Sequence, residues 1–290
     1  MPFCPSCGLE AESWEEISSH MLNRTDSSHV MWLNRNVSIN RMNARELSAA
    51  LYDLFRIESS LSDWVLKKVV QRIYSGPHPF IAAMQRPTRE VLLGYVYEHR
   101  HFLKNWVQVL SSVIYRTDDE RVIKYELENI STEYVGNNGP SHFELLLRMG
   151  EALGARREDI LSAQPLPGTA NAIAKWRRIA AERSWVETMA AMHSLEYIAD
   201  KRVRQAGAKV HYFNVEILSS EIYPEEVKQF LKEGYEADSY HAADAMRLVE
   251  EHAKGGMVQK VQMAVLDSLD AVSTYLNARL ERTRMLKGRA

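Results

Sequence analysis

Residues 128–154, ENISTEYVGNNGPSHFELLLRMGEALG, contain two helical stretches separated by a loop that is rich in glycine and asparagine. The loop, Gly136-Asn137-Asn138-Gly139-Pro140, consists of residues that favour turns. Gly154 follows the second stretch at the position where glycine commonly ends a helix. Apolar helical runs with short Gly or Pro interruptions continue on both sides, so the sequence predicts an all-α protein.

Predicted helices cover most of the chain after residue 42. In residues 43–57 and 62–73, apolar side chains recur at three- and four-residue spacing, which is the pattern of helices that bury one face. We interpret residues 37–290 as one helical bundle and residues 1–36 as a separate segment. The further predicted helices lie at about 79–85, 88–115, 118–131, 140–153, 156–163, 169–182, 184–206, 208–219, 224–254 and 257–285.

Length, composition and charge are those of an ordinary globular protein. The 290 residues, of which 46% are hydrophobic and 26% charged, are enough to bury a large core. A net charge of -2 gives no general attraction to nucleic acid or to anionic membranes. No apolar run approaches the roughly 20 residues needed to span a bilayer, and the N-terminus lacks a secretory signal. We therefore expect a cytoplasmic protein without membrane contact.

The chain has two cysteines, Cys4 and Cys7. A disulfide framework needs cysteines spread along the chain to close loops, so this pattern excludes one. Residues 8–290 contain no thiol, which excludes a cysteine nucleophile from the predicted bundle.

Cys4-Pro5-Ser6-Cys7-Gly8 has the form of a zinc knuckle, in which two thiolates separated by two residues bind one ion. His20 follows Cys7 after twelve residues, which is the usual spacing of a two-Cys, two-His site. The spacing from His20 to His29 is longer than usual. We predict a structural Zn²⁺ bound by Cys4, Cys7, His20 and His29. The alternative is a disordered terminus with two unused thiols.

The predicted zinc segment does not have the features of a DNA-reading finger. Its helix begins Trp14-Glu15-Glu16, which is acidic where a phosphate would lie. Reading bases requires Arg, Lys or Asn on that helix, usually in tandem fingers. We therefore expect the segment to be structural or to contact a protein partner, and we do not expect nucleic-acid binding.

Two carboxylate-x-x-histidine pairs lie on predicted helices, Glu98 with His101 and Asp238 with His241. Residues three apart share a helix face, about 5–6 Å apart at Cβ, so each pair can bind one metal ion. Glu196 lies among small and apolar residues, where a carboxylate needs a partner or a metal. Each pair alone is more typical of an exposed helix surface. Together they follow the pattern of dinuclear iron or manganese sites in helical bundles.

Several motifs occur in an order that resembles the heme-oxygenase-like superfamily, which includes TenA (thiaminase II), PQQ-biosynthesis protein C and the chlamydial CADD-like di-iron oxidases. The resemblance covers roughly residues 45–285 and is most specific in residues 128–154. It implies a helical bundle around a central cavity and a homodimer. The motifs are His78-Pro79-Phe80, Glu98 with His101, Trp106-Val107-x-x-Leu110, Glu128-Asn129-Ile130-x-x-Glu133-Tyr134, His142-Phe143-Glu144-Leu145, Ala152-Leu153-Gly154, Glu196 and Asp238-x-x-His241-Ala242.

The di-iron branch that this chain resembles uses Glu-x-x-His on one helix, a Glu on a middle helix and His-x-x-x-Asp-x-x-His on a late helix. The remaining histidine should stand four residues before Asp238, where this chain has Gly234, which leaves room for water or substrate. The alternatives to a complete dinuclear site are a partial site that binds one metal ion, a site that recruits Glu233 or another nearby group, and no metal at all. His99 is assigned no role. The resemblance implies five ligands for Fe²⁺ or Mn²⁺: Glu98, His101, Glu196, Asp238 and His241. The candidate cavity residues beside them are Tyr95, Tyr97, Tyr240 and Gly234.

The leading functional prediction is a non-heme di-iron oxidase or oxygenase that acts with O₂ on a small organic substrate. Oxygen and imidazole ligands without thiolate suit iron or manganese. The absence of a thiol argues against the cysteine-dependent thiaminase branch. The first alternative is a metal-independent oxidase of the PQQ-forming type. The second is a non-catalytic regulatory protein whose bundle holds a ligand and whose zinc segment contacts a partner. Gly234 favours both alternatives, whereas the five matching ligands favour the di-iron oxidase or oxygenase.

Overall fold

The computed structural model describes residues 1–37, 42–136 and 139–288, apart from the side chains of residues 236–241. Its α-helices are α1 (Trp14–Leu22), α2 (Ser27–Asn36), α3 (Ala44–Phe55), α4 (Leu61–Val69), α5 (Pro79–Ala83), α6 (Arg89–Arg116), α7 (Glu120–Ile130), α8 (His142–Ala152), α9 (Arg157–Ser162), α10 (Pro167–Glu182), α11 (Trp185–His193), α12 (Glu225–His252) and α13 (Gly256–Lys287). Short π-helical turns extend α4 and α7, and short 3-10 turns follow α11. These turns are Val70–Tyr74, Ser131–Val135, Glu196–Ile198, Lys201–Val203 and Val215–Ser219.

The described ranges confirm the predicted all-α class. The β pairing found in them is one antiparallel bridge between Phe3 and Glu10. In the same ranges, none of the helices combines the length and apolar character that a membrane span requires.

Helix starts follow local sequence signals. Asn43 and Glu46 form a reciprocal capping box at the start of α3, and Ser184 with Glu187 does the same for α11. Such side chains satisfy backbone N–H groups that have no partner in the first turn. Pro167 occupies the first turn of α10, where its missing N–H costs nothing.

The two long helices α6 and α13 form the centre of the bundle, and α13 also packs against α10 and α11. Gly94 of α6 lies against the backbone of α13. A Cβ at this position would stand 2.5 Å from the carbonyl oxygen of Arg279 and 2.5 Å from Oγ1 of Thr283. Because both neighbours belong to a packed helix, only glycine permits this interhelical spacing.

Replacement of Gly94 by alanine is expected to lower the free energy of unfolding by about 1–3 kcal/mol, because the added methyl group overpacks the α6–α13 interface. Urea unfolding of both proteins measures the difference. Gly76→Ala is the matched control, since a Cβ at Gly76 meets no atom within 4 Å. Equal stability of the two variants would contradict the close approach.

Two predicted helices are shorter than the sequence suggests. The predicted helix 184–206 ends at His193, and of the predicted helix 208–219 only the 3-10 turn Val215–Ser219 forms. Tertiary hydrogen bonds satisfy the backbone there instead. The hydroxyl of Tyr74 donates to the carbonyl of Ile198 at 2.5 Å, and the Gln85 amide donates to the carbonyl of His211 at 2.8 Å.

The N-terminal segment packs directly on the bundle. The rings of Trp14 and Phe55 stack with centroids 5.3 Å apart, which joins α1 to α3. The backbone of Phe3 exchanges two hydrogen bonds, of 2.8 and 2.7 Å, with the Gln259 side chain of α13. The predicted boundary after residue 36 falls at the end of α2, beside residues 38–41, which lie outside the described ranges.

Candidate functional site

The four predicted zinc ligands lie together at the N-terminus. Among the described residues, one group of Cys, His, Asp or Glu side chains brings at least three donor atoms within 4.8 Å of one another, and it consists of Cys4, Cys7, His20 and His29. Sγ of Cys7 is 3.3 Å from Nε2 of His20, and Sγ of Cys4 is 3.6 Å from Nε2 of His29. Two thiolates and two imidazoles are a donor set typical of structural zinc.

The long spacing between the two histidines results from a break between two helices. His20 lies in the last turn of α1, and His29 lies in the first turn of α2. Asp26 caps α2, and its carboxylate lies 2.8 Å from Nδ1 of His29. The Asp26 carboxylate fixes the orientation of the His29 ring, so that Nε2 faces the other ligands.

Protons compete with zinc at this cluster. Burial raises the pKa of the Cys4 thiol to about 11, so zinc must displace a proton there at neutral pH. Burial opposes a charged imidazole at His29, but the hydrogen-bonded Asp26 carboxylate and the nearby Cys7 together outweigh burial and raise the pKa of His29. Because both ligands must be deprotonated to bind, zinc affinity falls as the pH falls.

A cavity of about 140 Å³ lies inside the bundle, along α6. Its wall is mainly aromatic and aliphatic, with a few polar side chains, as is typical of small-molecule sites. The polar side chains of the wall are His99, Glu133, His142, Glu196 and Arg279, and its aromatic side chains are Tyr95, Phe102, Trp106, Tyr212, Phe213, Phe230, Tyr235 and Tyr275.

Glu98 and His101 are not among the cavity-lining residues. Glu98 is fully buried, accepts a hydrogen bond of 2.7 Å from Nε of Arg282 and is also bonded by the backbone N–H of Leu166. His99 lines the cavity. Successive side chains of an α-helix are rotated by about 100° around the helix axis, so Glu98 and His101 lie on other faces of α6 than His99. The geometry therefore does not bring Glu98 and His101 to the cavity as the sequence-based ligand set requires.

Glu133 and His142 lie at the cavity instead. Nδ1 of His142 is 3.0 Å from Oε1 of Glu133. Glu133 belongs to the π-helical turn after α7, and His142 is the first residue of α8. Both residues belong to the stretch 128–154, which carries the family resemblance, but the sequence pattern did not predict them as metal ligands.

Glu196 lies at the cavity, with one of its carboxylate oxygens paired and the other buried. Its Oε1 is 2.9 Å from Nδ1 of His193. Its Oε2 is buried and has no hydrogen-bond partner among the described residues. Asn129 joins this group to α6. Its Nδ2 lies 3.5 Å from Oε1 of Glu196, and its Oδ1 accepts a hydrogen bond of 2.7 Å from Nε1 of Trp106.

His193, to which the sequence analysis gave no role, bridges two carboxylates. Its Nε2 is 3.1 Å from both oxygens of Glu126, while Nδ1 contacts Glu196. A protonated imidazole, which donates from both ring nitrogens, satisfies the two carboxylates. Burial alone would lower the pKa of His193, but the two carboxylates raise it to about 10. Glu126 and His193 are both fully buried.

The remaining predicted cavity residues are divided. Tyr95 and Gly234 line the cavity, and a Cβ at Gly234 would meet no atom within 4 Å, which agrees with the predicted open space. Tyr97 is not among the cavity-lining residues, and the centroid of its ring lies 5.7 Å from the guanidinium carbon of Arg282. Asp238, Tyr240 and His241 lie on α12, but their side chains are outside the described part of the structure.

Residues 65–282, more than half of the chain, match the model of the TENA/THI-4/PQQC family. The chain belongs to this family. Residues 1–56 match the C2H2 type zinc-finger family, and together with the Cys/His cluster this match supports zinc binding.

Relatives of the family have different stated activities. The chain is 26% identical over 191 residues to 4-aminobenzoate synthase of Chlamydia muridarum, covering 64% of this chain and 76% of that protein. It is 26% identical over 239 residues to pyrroloquinoline-quinone synthase of Pseudomonas aeruginosa, covering 80% and 89% respectively.

Solved structures confirm the predicted heme-oxygenase-like fold. A domain with this fold from Shewanella denitrificans matches with a TM-score of 0.59 at 20% identity, covering 79% of this chain and 93% of that chain. A CADD-like protein from Nostoc punctiforme matches with a TM-score of 0.58 at 14% identity, covering 76% and 96%.

Proposed function

We propose that this chain is a heme-oxygenase-like oxidase that uses iron and O₂ to oxidise a small organic substrate in the cavity along α6. The observation that carries the proposal is the Glu196 carboxylate, whose Oε2 is buried at the cavity without a hydrogen-bond partner among the described residues. A buried carboxylate oxygen is costly unless a cation or a donor binds it. The donor types around the cavity fit iron.

The proposed ligands are Glu133, His142 and Glu196, completed by Asp238 and His241. Glu133 and His142 replace Glu98 and His101 because they line the cavity. Asp238 and His241 are three residues apart on α12, the helix that also contributes Gly234 to the cavity wall. Carboxylate and imidazole without thiolate suit Fe(II) or Mn(II).

The protein side chains bind and shield the substrate. The aromatic wall, which includes Phe102 and Phe230, excludes water from the cavity and encloses an apolar ligand. His193 donates to Oε1 of Glu196 and thereby holds the orientation in which Oε2 is available. When bound, iron supplies the O₂-dependent redox chemistry that amino-acid side chains lack.

A second candidate is metal-independent oxidation of the PQQ-forming type. Gly234 favours it, because this position supplies no imidazole and leaves open space in the cavity wall. The similarity to pyrroloquinoline-quinone synthase supports the same candidate.

Iron content after anaerobic loading of the full chain separates these proposals. We expect about two irons per chain in the unmodified protein, as in dinuclear bundle sites, with zinc counted separately. Glu133→Gln removes a proposed ligand charge and is expected to lose at least half of the iron. Glu98→Gln is the matched control, because Glu98 has its own partner in Arg282 and is expected to keep the iron.

The outcomes have different meanings. Iron lost in Glu98→Gln but kept in Glu133→Gln would restore the sequence-based ligand set. Zinc at about one per chain with no iron in the unmodified protein would exclude the di-iron oxidase and favour the metal-independent candidate. Circular dichroism of each variant checks that the helices remain folded.

A further inference from the structure

Arg279 of α13 is a buried cation in the wall of the cavity. The residue is 2% exposed, and it lies on the cavity surface. Its guanidinium carbon is 3.8 Å from the ring centroid of Tyr95 and 4.4 Å from that of Tyr275. Arginine tolerates stacked, apolar surroundings because its charge is delocalised and weakly hydrated.

The hydrogen-bond partners of Arg279 are neutral groups. Nη1 donates to the hydroxyl of Tyr212 at 2.5 Å, and Nη2 donates to the hydroxyl of Tyr275 at 2.5 Å. Nη2 also lies 2.9 Å from Nδ1 of His99. A guanidinium can only donate, so Nδ1 of His99 accepts the hydrogen bond and this imidazole carries no charge. Burial raises the pKa of Tyr275, so its hydroxyl is also neutral at neutral pH.

No described carboxylate compensates the charge of Arg279. Its three hydrogen bonds are those to tyrosine and histidine, and its Nε is buried without a partner among the described residues. By contrast, Arg282, a partly exposed arginine of α13, is ion-paired with the buried carboxylate of Glu98 on α6. A buried charge without a counterion is strongly unfavourable, so an anion that enters the cavity gains a strong interaction there.

The cavity has a cationic and an anionic end. Arg279 contacts His99 of α6, whereas Glu196 is linked through Asn129 to Trp106 of α6. The helical rise between His99 and Trp106 separates these ends by about 10 Å. The cavity volume of about 140 Å³ is similar to that of cavities that accept benzene, about 150 Å³.

We propose that Arg279 binds the carboxylate of a small monocarboxylate substrate whose apolar body is about the size of one aromatic ring. The inference rests on the proposed function, because it names the substrate class of the same cavity. Guanidinium–carboxylate hydrogen bonds are short and charge-assisted, and Nε of Arg279 has no hydrogen-bond partner among the described residues. The end of the substrate remote from the carboxylate then faces Glu196.

Isothermal titration calorimetry of the full zinc-bound chain, before iron loading, tests this binding mode with three probes of similar shape. They are 3-phenylpropanoate, the neutral 3-phenylpropanamide and the cationic 3-phenylpropylamine. We expect the carboxylate to bind at least roughly 30-fold more tightly than the amide, as for a buried charge pair. The amine is expected to bind less tightly than the carboxylate, because its charge has the same sign as that of Arg279. Equal affinities for the carboxylate and the amide, or no binding of the carboxylate, would overturn the proposal.

The variant Arg279→Met keeps an apolar side chain and removes the charge. We expect it to lose the preference for the carboxylate while its weak affinity for the amide stays unchanged. Arg284→Met, at an exposed position of the same helix, is the matched control and should bind like the unmodified protein. A retained preference in Arg279→Met would refute the assignment. If that variant does not fold, the three-probe comparison on the unmodified chain still decides.

Failure of this inference can be distinguished from failure of the proposed function. A chain that binds iron but does not discriminate between carboxylate and amide refutes the role of Arg279 alone. A chain that discriminates between them but binds no iron refutes the di-iron site alone.

Discussion

The variant Cys4→Ser is expected to bind no stoichiometric zinc and to lose the ordered structure of residues 1–36. Cys4 is fully buried and is one of the four clustered ligands. Serine at this position is a poor zinc ligand, and structural zinc contributes about 10–16 kcal/mol to the folding of small zinc domains. This is the largest effect that we expect from any single substitution.

Metal analysis and limited proteolysis measure the outcome. The variant should contain less than a tenth of the zinc of the unmodified protein, and it should be cleaved before residue 37 while the bundle resists. Ser6→Ala is the matched control, because Ser6 lies in the same knuckle but provides no ligand. A Cys4→Ser variant that retains one zinc per chain would refute the site.

The variant His193→Leu is expected to lose about 3–5 kcal/mol of unfolding free energy. His193 is the hydrogen-bond partner of both oxygens of Glu126, and neither side chain is exposed. Removing one member of a buried ion pair leaves an uncompensated charge, which accounts for the size of the effect.

A double-mutant cycle provides the control for this prediction. In Glu126→Met/His193→Leu both charged groups are replaced by apolar side chains, so most of the stability lost in His193→Leu should return. Urea unfolding of the four proteins gives the coupling free energy. Additive effects of the two substitutions would show that the contact between Glu126 and His193 does not matter for stability.

The zinc site could be predicted from the sequence because its signals are local. The two cysteines are close in sequence, and the spacing to His20 follows a common pattern. The long interval to His29 could not be explained at that level. The interval depends on the break between α1 and α2, after which Asp26 caps the start of α2.

The cavity residues were harder to predict because they depend on contacts between distant residues. Glu98 has the sequence pattern of a ligand, but Arg282, which neutralises it, is 184 residues away. Glu133 and His142 are nine residues apart, on a π-helical turn and at a helix start, so helical spacing does not pair them. The apolar surroundings of Glu196 predict that its carboxylate needs a partner, but the contact between His193 and Glu126, which completes this network, joins residues 67 positions apart.

The end of the predicted helix 184–206 shows the same limitation. Its apolar composition fits a continuing helix, but side chains from other helices satisfy the backbone after His193. This early end allows Glu196 to occupy a 3-10 turn at the cavity.

The absence of a side chain at Gly94 also determines the dimensions of the cavity. Gly94 contacts the main chain of Arg279, and Tyr95, the next residue, lies under the guanidinium of the same arginine. A wider α6–α13 spacing would therefore separate Tyr95 from Arg279 and open this end of the cavity to larger guests. Ligand size is thus limited by a backbone contact outside the cavity wall, so redesign of the lining residues alone would leave that limit in place.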